Sequence, residues 1–266
     1  MANGPVVGIV GTGEMGMPMI ERMRAAMRRY RFFAATEAIE SRRLPSAVAC
    51  DSVAAMAAQV DVVIVCVYSD DQVREVALGS DGIVEHLRPG TVLCNHTTGR
   101  PSTGQALLAA ADARGVGMLD CALSGGPNDI LAGNLTLLVG GDPALLERVT
   151  PVLGSYSSPI LHVGEVGDGQ KVKLLNNALF GAQVALAVQI ERTAAAMGMD
   201  AALVLPAIHE CSGDSFALTA ALGLGSAERM VELAGRFVRK DVAVCVEVAD
   251  ELGADLGSVL TVAQEV

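Results

Sequence analysis

Up to about residue 163, apolar positions fall in short, nearly continuous runs, each followed by a stretch with helical spacing. Val6 to Val10, Tyr30 to Ala35, Val48 to Cys50, Asp61 to Val67, Thr91 to Asn95, Val116 to Asp120, Leu135 to Gly140 and Ile160 to Val163 read as strands. Met15, Met19, Met23 and Met27 recur every four residues and predict a helix after the first strand. Runs without alternation predict strands buried on both faces, hence a parallel, doubly wound sheet. The pattern changes after the glycine-rich stretch from Gly164 to Gly169. From Gln170 to Met197 the chain reads as one long helix, apolar nearly all round, which must be buried on every side. The helical tail beyond it looks too small to wrap it alone. A second subunit is therefore expected to cover part of it, with a central helix in a monomeric bundle as the competing reading. The expected fold class is α/β: a doubly wound sheet over residues 1–163, then an all-α domain built on the long helix over 164–266. Helical periodicity runs to Gln264-Glu265-Val266 without a capping residue, as in a truncated chain.

Composition narrows the function classes. Of 266 residues, 51% are apolar and 18% charged, enough to bury a core and to argue against disorder. The net charge of -11 argues against nucleic acid and against an anionic membrane surface. No apolar run approaches a membrane span, and Met-Ala-Asn-Gly-Pro-Val-Val lacks the basic start of a signal peptide. Cys50, Cys66, Cys94, Cys121, Cys211 and Cys245 form no CxxC pair. They read as reduced thiols of a cytoplasmic protein. The four histidines show no ligand spacing, so no metal is expected.

Gly11-Thr12-Gly13-Glu14-Met15-Gly16 fits GxGxxG, and it directly follows a strand and opens a helix. In that context Gly11 permits the tight turn, Gly13 lets backbone approach a pyrophosphate, and Gly16 lets helix and strand pack closely. The helix N-terminus then meets the phosphates with free N–H groups and its positive dipole end. A glycine-rich turn without a ligand is the alternative. Glu37 lies near the place of the acidic residue that holds the ribose of NAD, while Arg42 and Arg43 could reach the 2′-phosphate of NADP. All three can equally be solvated loop charges. NAD is favoured slightly, because no arginine follows the second strand immediately.

Three further stretches carry chemistry. Asn95-His96-Thr97-Thr98-Gly99-Arg100-Pro101 follows a strand at the carboxyl edge, where ligands bind in open α/β sheets. Asp120-Cys121-Ala122-Leu123-Ser124-Gly125-Gly126-Pro127 offers consecutive small residues whose N–H groups can form a nest for a carboxylate. Either can also be an ordinary turn. Gly167-Asp168-Gly169-Gln170-Lys171-Val172-Lys173-Leu174-Leu175-Asn176-Asn177 opens the long helix. Lys173 and Asn177 are four apart and share a face, whereas Lys171 points the other way. A lysine at the start of an apolar helix can donate or accept a proton, its pKa lowered by desolvation. Alternatively it is a helix-end lysine reaching for water.

In this order, the stretches resemble the β-hydroxyacid dehydrogenase family over essentially the whole chain. GTGEMG is similar to the family's GxGxMG, and Asn95 to Pro101 to its DxSTxxP, with Asn95 and Thr97 as departures. LDCALSGGP resembles LDAPVSGGP, GDGQKVKLLNN matches GxGxxxKxxNN, and Lys240-Asp241 resembles the start of KDLxLA. The resemblance implies reversible hydride transfer between NAD or NADP and a small 3-hydroxy acid. Lys173 would be the general acid and base, and Asn177 would orient it or the substrate. Ser124, Gly125 and Gly126 would hold the substrate carboxylate, and Thr97, Thr98 and Lys240 would border the nicotinamide. The stretch from Ser212 to Arg229 is unlike the usual members, which leaves the substrate side chain open. An imine reductase of the same fold is the nearest alternative, although such enzymes carry Asp or Tyr where this chain has Lys173. A non-catalytic nucleotide-binding dimer is a more remote one.

Overall fold

The computed structural model describes residues 4–26, 31–35, 47–49 and 52–266. The chain forms two compact units, Met1–Lys173 and Leu174–Val266. The first contains strands β1 (Val6–Val10), β2 (Arg31–Ala35), β3 (Ala47–Ala49), β4 (Val62–Val65), β5 (Val92–Asn95), β6 (Gly117–Ser124), β7 (Leu135–Gly141) and β8 (Ser157–Gly164). Between them lie helices α1 (Gly16–Ala26), α2 (Val53–Ala57), α3 (Asp70–Leu78), α4 (Ile83–His86), α5 (Pro101–Asp112), α6 (Pro127–Ala132) and α7 (Pro143–Leu153). A long α8 (Asp168–Ala196) begins in this unit and continues into the second.

The strands form one eight-stranded sheet in the order β3-β2-β1-β4-β5-β6-β7-β8. The six strands from β3 to β6 run parallel in the dinucleotide-binding order, with its switch point between β1 and β4. Alternate residues feed opposite cores. Val7, Ile9, Val62, Ile64, Val92 and Cys94 pack on the side of Met19, Ile20 and Met23 from α1. Val10, Val63, Val65 and Leu93 pack on the side of Val73, Ala77 and Leu107 from α3 and α5. Both faces are apolar because both are covered by helices.

Two strands depart from the all-parallel expectation: β7 runs antiparallel to β6, and β8 runs parallel to β7, so both oppose the other six. The connection from Ser124 to Leu135 carries only the single short helix α6, less chain than a parallel crossover needs. The longer passage through α7 supplies that crossover for β8. Strand β8 is the sheet's edge, and its Leu161 is exposed.

The second unit is helical. Besides α8 it has α9 (Ala201–His209), α10 (Phe216–Leu224), α11 (Ala227–Leu252) and α12 (Gly257–Ala263). Serine hydroxyls start two of them: Ser215 accepts from Leu218 N, and Ser226 from Arg229 N. Gly181 lets α8 approach α11, since a Cβ there would stand 2.8 Å from Val238 Cγ1. The face of α8 bearing Ala178, Ala182, Ala185 and Val188 is buried. The chain by itself does not cover the helix all round. Leu175, Leu179, Leu186 and Ile190 are 54%, 52%, 53% and 41% exposed and recur at spacings of four and seven, one stripe along the rod. Among the described residues, no helix is long and apolar enough to cross a membrane, and no cluster of metal-ligating side chains occurs.

Candidate active site

The glycine loop sits where β1 meets α1, beside the switch point. Gly11 has a φ of +95°, and a Cβ there would stand 2.0 Å from the Cys66 carbonyl after β4. A Cβ at Gly16 would stand 2.0 Å from the Gly11 carbonyl. At Gly13 a Cβ would meet nothing within 4 Å. Two glycines thus serve the protein's own packing, and the middle one leaves an open backbone surface at a helix start. That is the cradle a pyrophosphate needs, so these residues fit a dinucleotide. Thr12 and Met15 are half-buried, and Glu14 is exposed. Glu37, Arg42 and Arg43, the candidates for choosing between NAD and NADP, lie outside the described residues, as do Met27 and Cys50.

The loop after β5 is pinned from several sides. Thr97 Oγ1 accepts from Val67 N at 3.0 Å, and Thr97 N donates to Asn95 Oδ1 at 3.2 Å. Asp70 at the start of α3 accepts from Arg100 N at 2.9 Å, and a Cβ at Gly99 would strike that carboxylate. His96 is buried and bonded through Nε2 to the Tyr156 hydroxyl at 2.7 Å. Burial lowers its pKa to about 4, so the imidazole is neutral. Burial also raises the nearby Cys66 thiol to about 12, and Cys66, Cys94, Cys121, Cys211 and Cys245 are all free. Thr97 is buried with its hydroxyl engaged, and Thr98 is half-buried.

Gln170 joins this loop to β6 and to the first turn of α8. Its Nε2 donates to Thr97 O at 3.0 Å and to Asp120 Oδ1 at 2.8 Å, while its Oε1 accepts from Gly99 N at 2.9 Å. Asp120 Oδ2 in turn accepts from Gln170 N at 2.9 Å and Gly167 N at 3.2 Å, capping the helix. Burial raises the Asp120 pKa to about 6, even though the Gln170 and Gly167 donors oppose it. Sequence reasoning assigned no role to Asp120 or Gln170. Their partners lie 47 to 73 residues apart in the chain, so no local spacing signals the clamp.

One turn beyond Gln170 stands half-buried Lys173. Lys171 Nζ instead pairs with Asp168 Oδ1 at 2.8 Å, and that lysine holds the Asp168 carboxyl below its ordinary range. Ser124 ends β6, and Gly125 turns the chain into α6 at a φ of +126°. The Gly126 N–H, one of three groups expected to receive a carboxylate, donates to Asp129 Oδ2 at 2.7 Å. That contact is one half of a capping box, since glycine has no side chain to make the other; an acidic residue three positions after a turn glycine was its available signal. In the helical unit, Asn177 Nδ2 donates to Asp241 Oδ2, and Lys240 Nζ lies 3.4 Å from Asp241 Oδ1. Asp241 was not expected to hold Asn177. A buried carboxylate fixes the amide's orientation on α8.

Residues 6–164 match the family described as the NAD-binding domain of 6-phosphogluconate dehydrogenase. Residues 167–266 match that described as the NAD-binding domain of NADP-dependent 3-hydroxyisobutyrate dehydrogenase. The chain belongs to the β-hydroxyacid dehydrogenase family. Within that family it is 30% identical to the NAD-dependent L-serine dehydrogenase of Pseudomonas aeruginosa, over 80% of this chain and 72% of that one. It is 28% identical to 2-(hydroxymethyl)glutarate dehydrogenase of Eubacterium barkeri, over 92% and 82%. Mycobacterium tuberculosis 3-hydroxyisobutyrate dehydrogenase shares the fold, with a TM-score of 0.86 at 24% identity over 98% of this chain and 91% of that one. An imine reductase from Myxococcus stipitatus is more distant, at 21% identity and a TM-score of 0.58 over 96% and 80%. As a β-hydroxyacid dehydrogenase, the chain is an NAD(P)-dependent oxidoreductase.

Proposed function

We propose that this chain transfers hydride reversibly between a nicotinamide and the hydroxyl-bearing carbon of a small 3-hydroxy acid, with Lys173 as general acid and base. The observation that carries this reading is the Gln170–Asp120 clamp, which ties the turn before Lys173 to the carboxyl edge of the sheet. Lys171, the other lysine of this turn, pairs with Asp168. L-serine, 2-(hydroxymethyl)glutarate and 3-hydroxyisobutyrate, named for the relatives, share a primary alcohol one carbon removed from a carboxylate-bearing carbon. That supports the substrate class.

When bound, the nicotinamide takes or gives the hydride. The residues of this chain bind, orient and move a proton. Gly11, Thr12, Gly13, Glu14, Met15 and Gly16 hold the pyrophosphate against the start of α1. Thr97, Thr98 and Lys240 border the nicotinamide, the roles that the family motifs assign them. Ser124, Gly125 and Gly126 receive the substrate carboxylate, with the Gly126 N–H already shared with Asp129. In oxidation, the neutral Lys173 amine takes the proton of the substrate hydroxyl as the C–H bond gives up its hydride. In reduction, the ammonium returns that proton to the carbonyl oxygen. Asn177, steadied by Asp241, orients Lys173 or the substrate.

NAD is the favoured coenzyme on this reading, since Thr36 and Glu37, not arginine, follow β2. The reading extends to a homodimer, or a higher assembly of like subunits, that covers the exposed stripe of α8, in a cytoplasmic protein with reduced thiols. Domain limits of 1–163 and 164–266 follow the change of sequence pattern, while the compact units divide later, after Lys173.

The test is Lys173→Ala. Turnover should fall about a hundredfold to ten-thousandfold while the dissociation constant for NAD or NADP stays within about threefold. Joint loss of turnover and coenzyme binding would make Lys173 structural and overturn the reading. Assaying 3-hydroxy acids beside cyclic imines separates it from imine reduction, for which a lysine is the wrong residue at this place.

A further inference from the structure

The turn proposed to receive the substrate carboxylate already holds a carboxylate of the protein. Asp129 Oδ2 takes the Gly126 N–H at 2.7 Å, and a Cβ added at Gly125 would stand 2.8 Å from the same oxygen. The Asp129 side chain therefore lies against the backbone of both glycines, one turn into α6. It is exposed, so its charge faces whatever approaches the turn. A second carboxylate brought there meets a like charge and one fewer backbone donor. Unit charges about 4 Å apart change an affinity by roughly fivefold even in water-like surroundings, and by more where the dielectric is lower.

We infer that Asp129 sets the charge preference of this subsite: it selects a 2-amino-3-hydroxy acid, whose ammonium group pairs with it, over a 3-hydroxy acid lacking that group. An ammonium on C2 sits one bond from the carbon that bears the carboxylate. A single substrate can thus present its carboxylate to Ser124 and Gly125 and its ammonium to Asp129. The inference rests on the proposed function, because it places the substrate at the same turn.

Asp129→Asn tests it, since an amide oxygen can still accept from Gly126 N–H while the charge is gone. The measurement is kcat/KM for L-serine and for 3-hydroxypropionate, with the melting temperature as a check on the fold. Wild type should favour L-serine. In the variant that preference should fall about tenfold, mainly through KM, with the melting temperature nearly unchanged. A preference that moves by less than about twofold overturns the inference and leaves Asp129 as a helix cap. If Asp129→Asn melts early, Asp129→Ser, an uncharged acceptor, is read by the same criterion. Wild type oxidising neither compound overturns the proposed reaction and this inference with it. Both compounds oxidised, with an unmoved ratio, overturns the role of Asp129 alone.

Discussion

The sheet and the long helix deal with apolar surface in opposite ways. In the sheet, Ile64, Leu93, Leu119 and Leu137 are completely buried, and the central strands β1, β4 and β5 send alternate residues into one of two closed cores. Along α8, small residues pack inward while Leu175, Leu179, Leu186 and Ile190 face outward. Large side chains sit where the chain closes its own core, and small ones where helices must come close, as at Gly181 against Val238. The outward leucines have no such use within one chain. The difference teaches that hydrophobicity alone says a residue wants cover, and only the fold says whether the same chain provides it.

The largest effect expected from breaking this contrast is in the sheet. Leu119→Ala should lower stability by about 2–5 kcal/mol, read by urea unfolding, and the loss should not depend on protein concentration. Leu186→Asp on α8 should instead leave a folded chain whose assembly is smaller by sedimentation, with a melting temperature that no longer rises with concentration. Equal, concentration-independent losses at the two sites would mean the stripe is covered by the chain itself.

A second contrast lies within the glycine loop. Gly16→Ala forces a methyl group against the Gly11 carbonyl and should cost about 1–3 kcal/mol of stability, with coenzyme binding lost as well. Gly13→Ala meets open space, so stability should stay within about 0.5 kcal/mol while coenzyme affinity falls at least tenfold by titration. An unchanged affinity in Gly13→Ala would remove the pyrophosphate from this loop.

These pairs also show what the sequence made legible. Most strands were readable because each holds a short apolar run of strand length, and α8 because its apolar run is far too long for a strand. The direction of β7 was not, because it depends on how little chain joins it to β6. The loop GTGEMG could be placed by spacing alone, since its job is local. The clamp of Asp120 and Gln170 and the pairing of Asn177 with Asp241 could not, because their partners are remote in the chain and the residue types are common ones.

Two buried groups, Asp120 in β6 and His96 just past β5, should pull the pH dependence of stability in opposite directions. Asp120 has a folded pKa of about 6 against an ordinary 3.8, so the folded state holds the extra proton and this group's contribution falls as pH rises from about 4 to 6. His96 has a folded pKa of about 4 against 6.5, so the unfolded state holds the extra proton and its contribution is lost as pH falls from about 6.5 to 4. Each acts on the order of 1–3 kcal/mol across its window. Urea titrations between about pH 4 and 7 should show Asp120→Asn gaining stability with pH more steeply than wild type, and His96→Gln less steeply. Parallel curves for all three would show that neither group titrates as its burial requires.

The smallest expected effect separates the two lysines of α8. Lys171 makes a partly exposed pair with Asp168, three residues back on the same helix, and such pairs contribute about 1 kcal/mol or less. The pair also completes the first turn, where Asp168 accepts from Glu165 N, so losing Lys171 leaves that carboxylate with a backbone partner. Lys171→Ala should therefore lower stability by no more than about 1 kcal/mol and leave kcat/KM within about twofold of wild type. Raising the salt concentration should shrink even that stability difference, because exposed charges are screened. Lys173, one helical turn past the Gln170 clamp, should show the reverse: a large loss of turnover with little loss of stability. If Lys171→Ala removed turnover as Lys173→Ala does, the clamp would be orienting the whole first turn and not one amine, and the proton would have to be assigned anew.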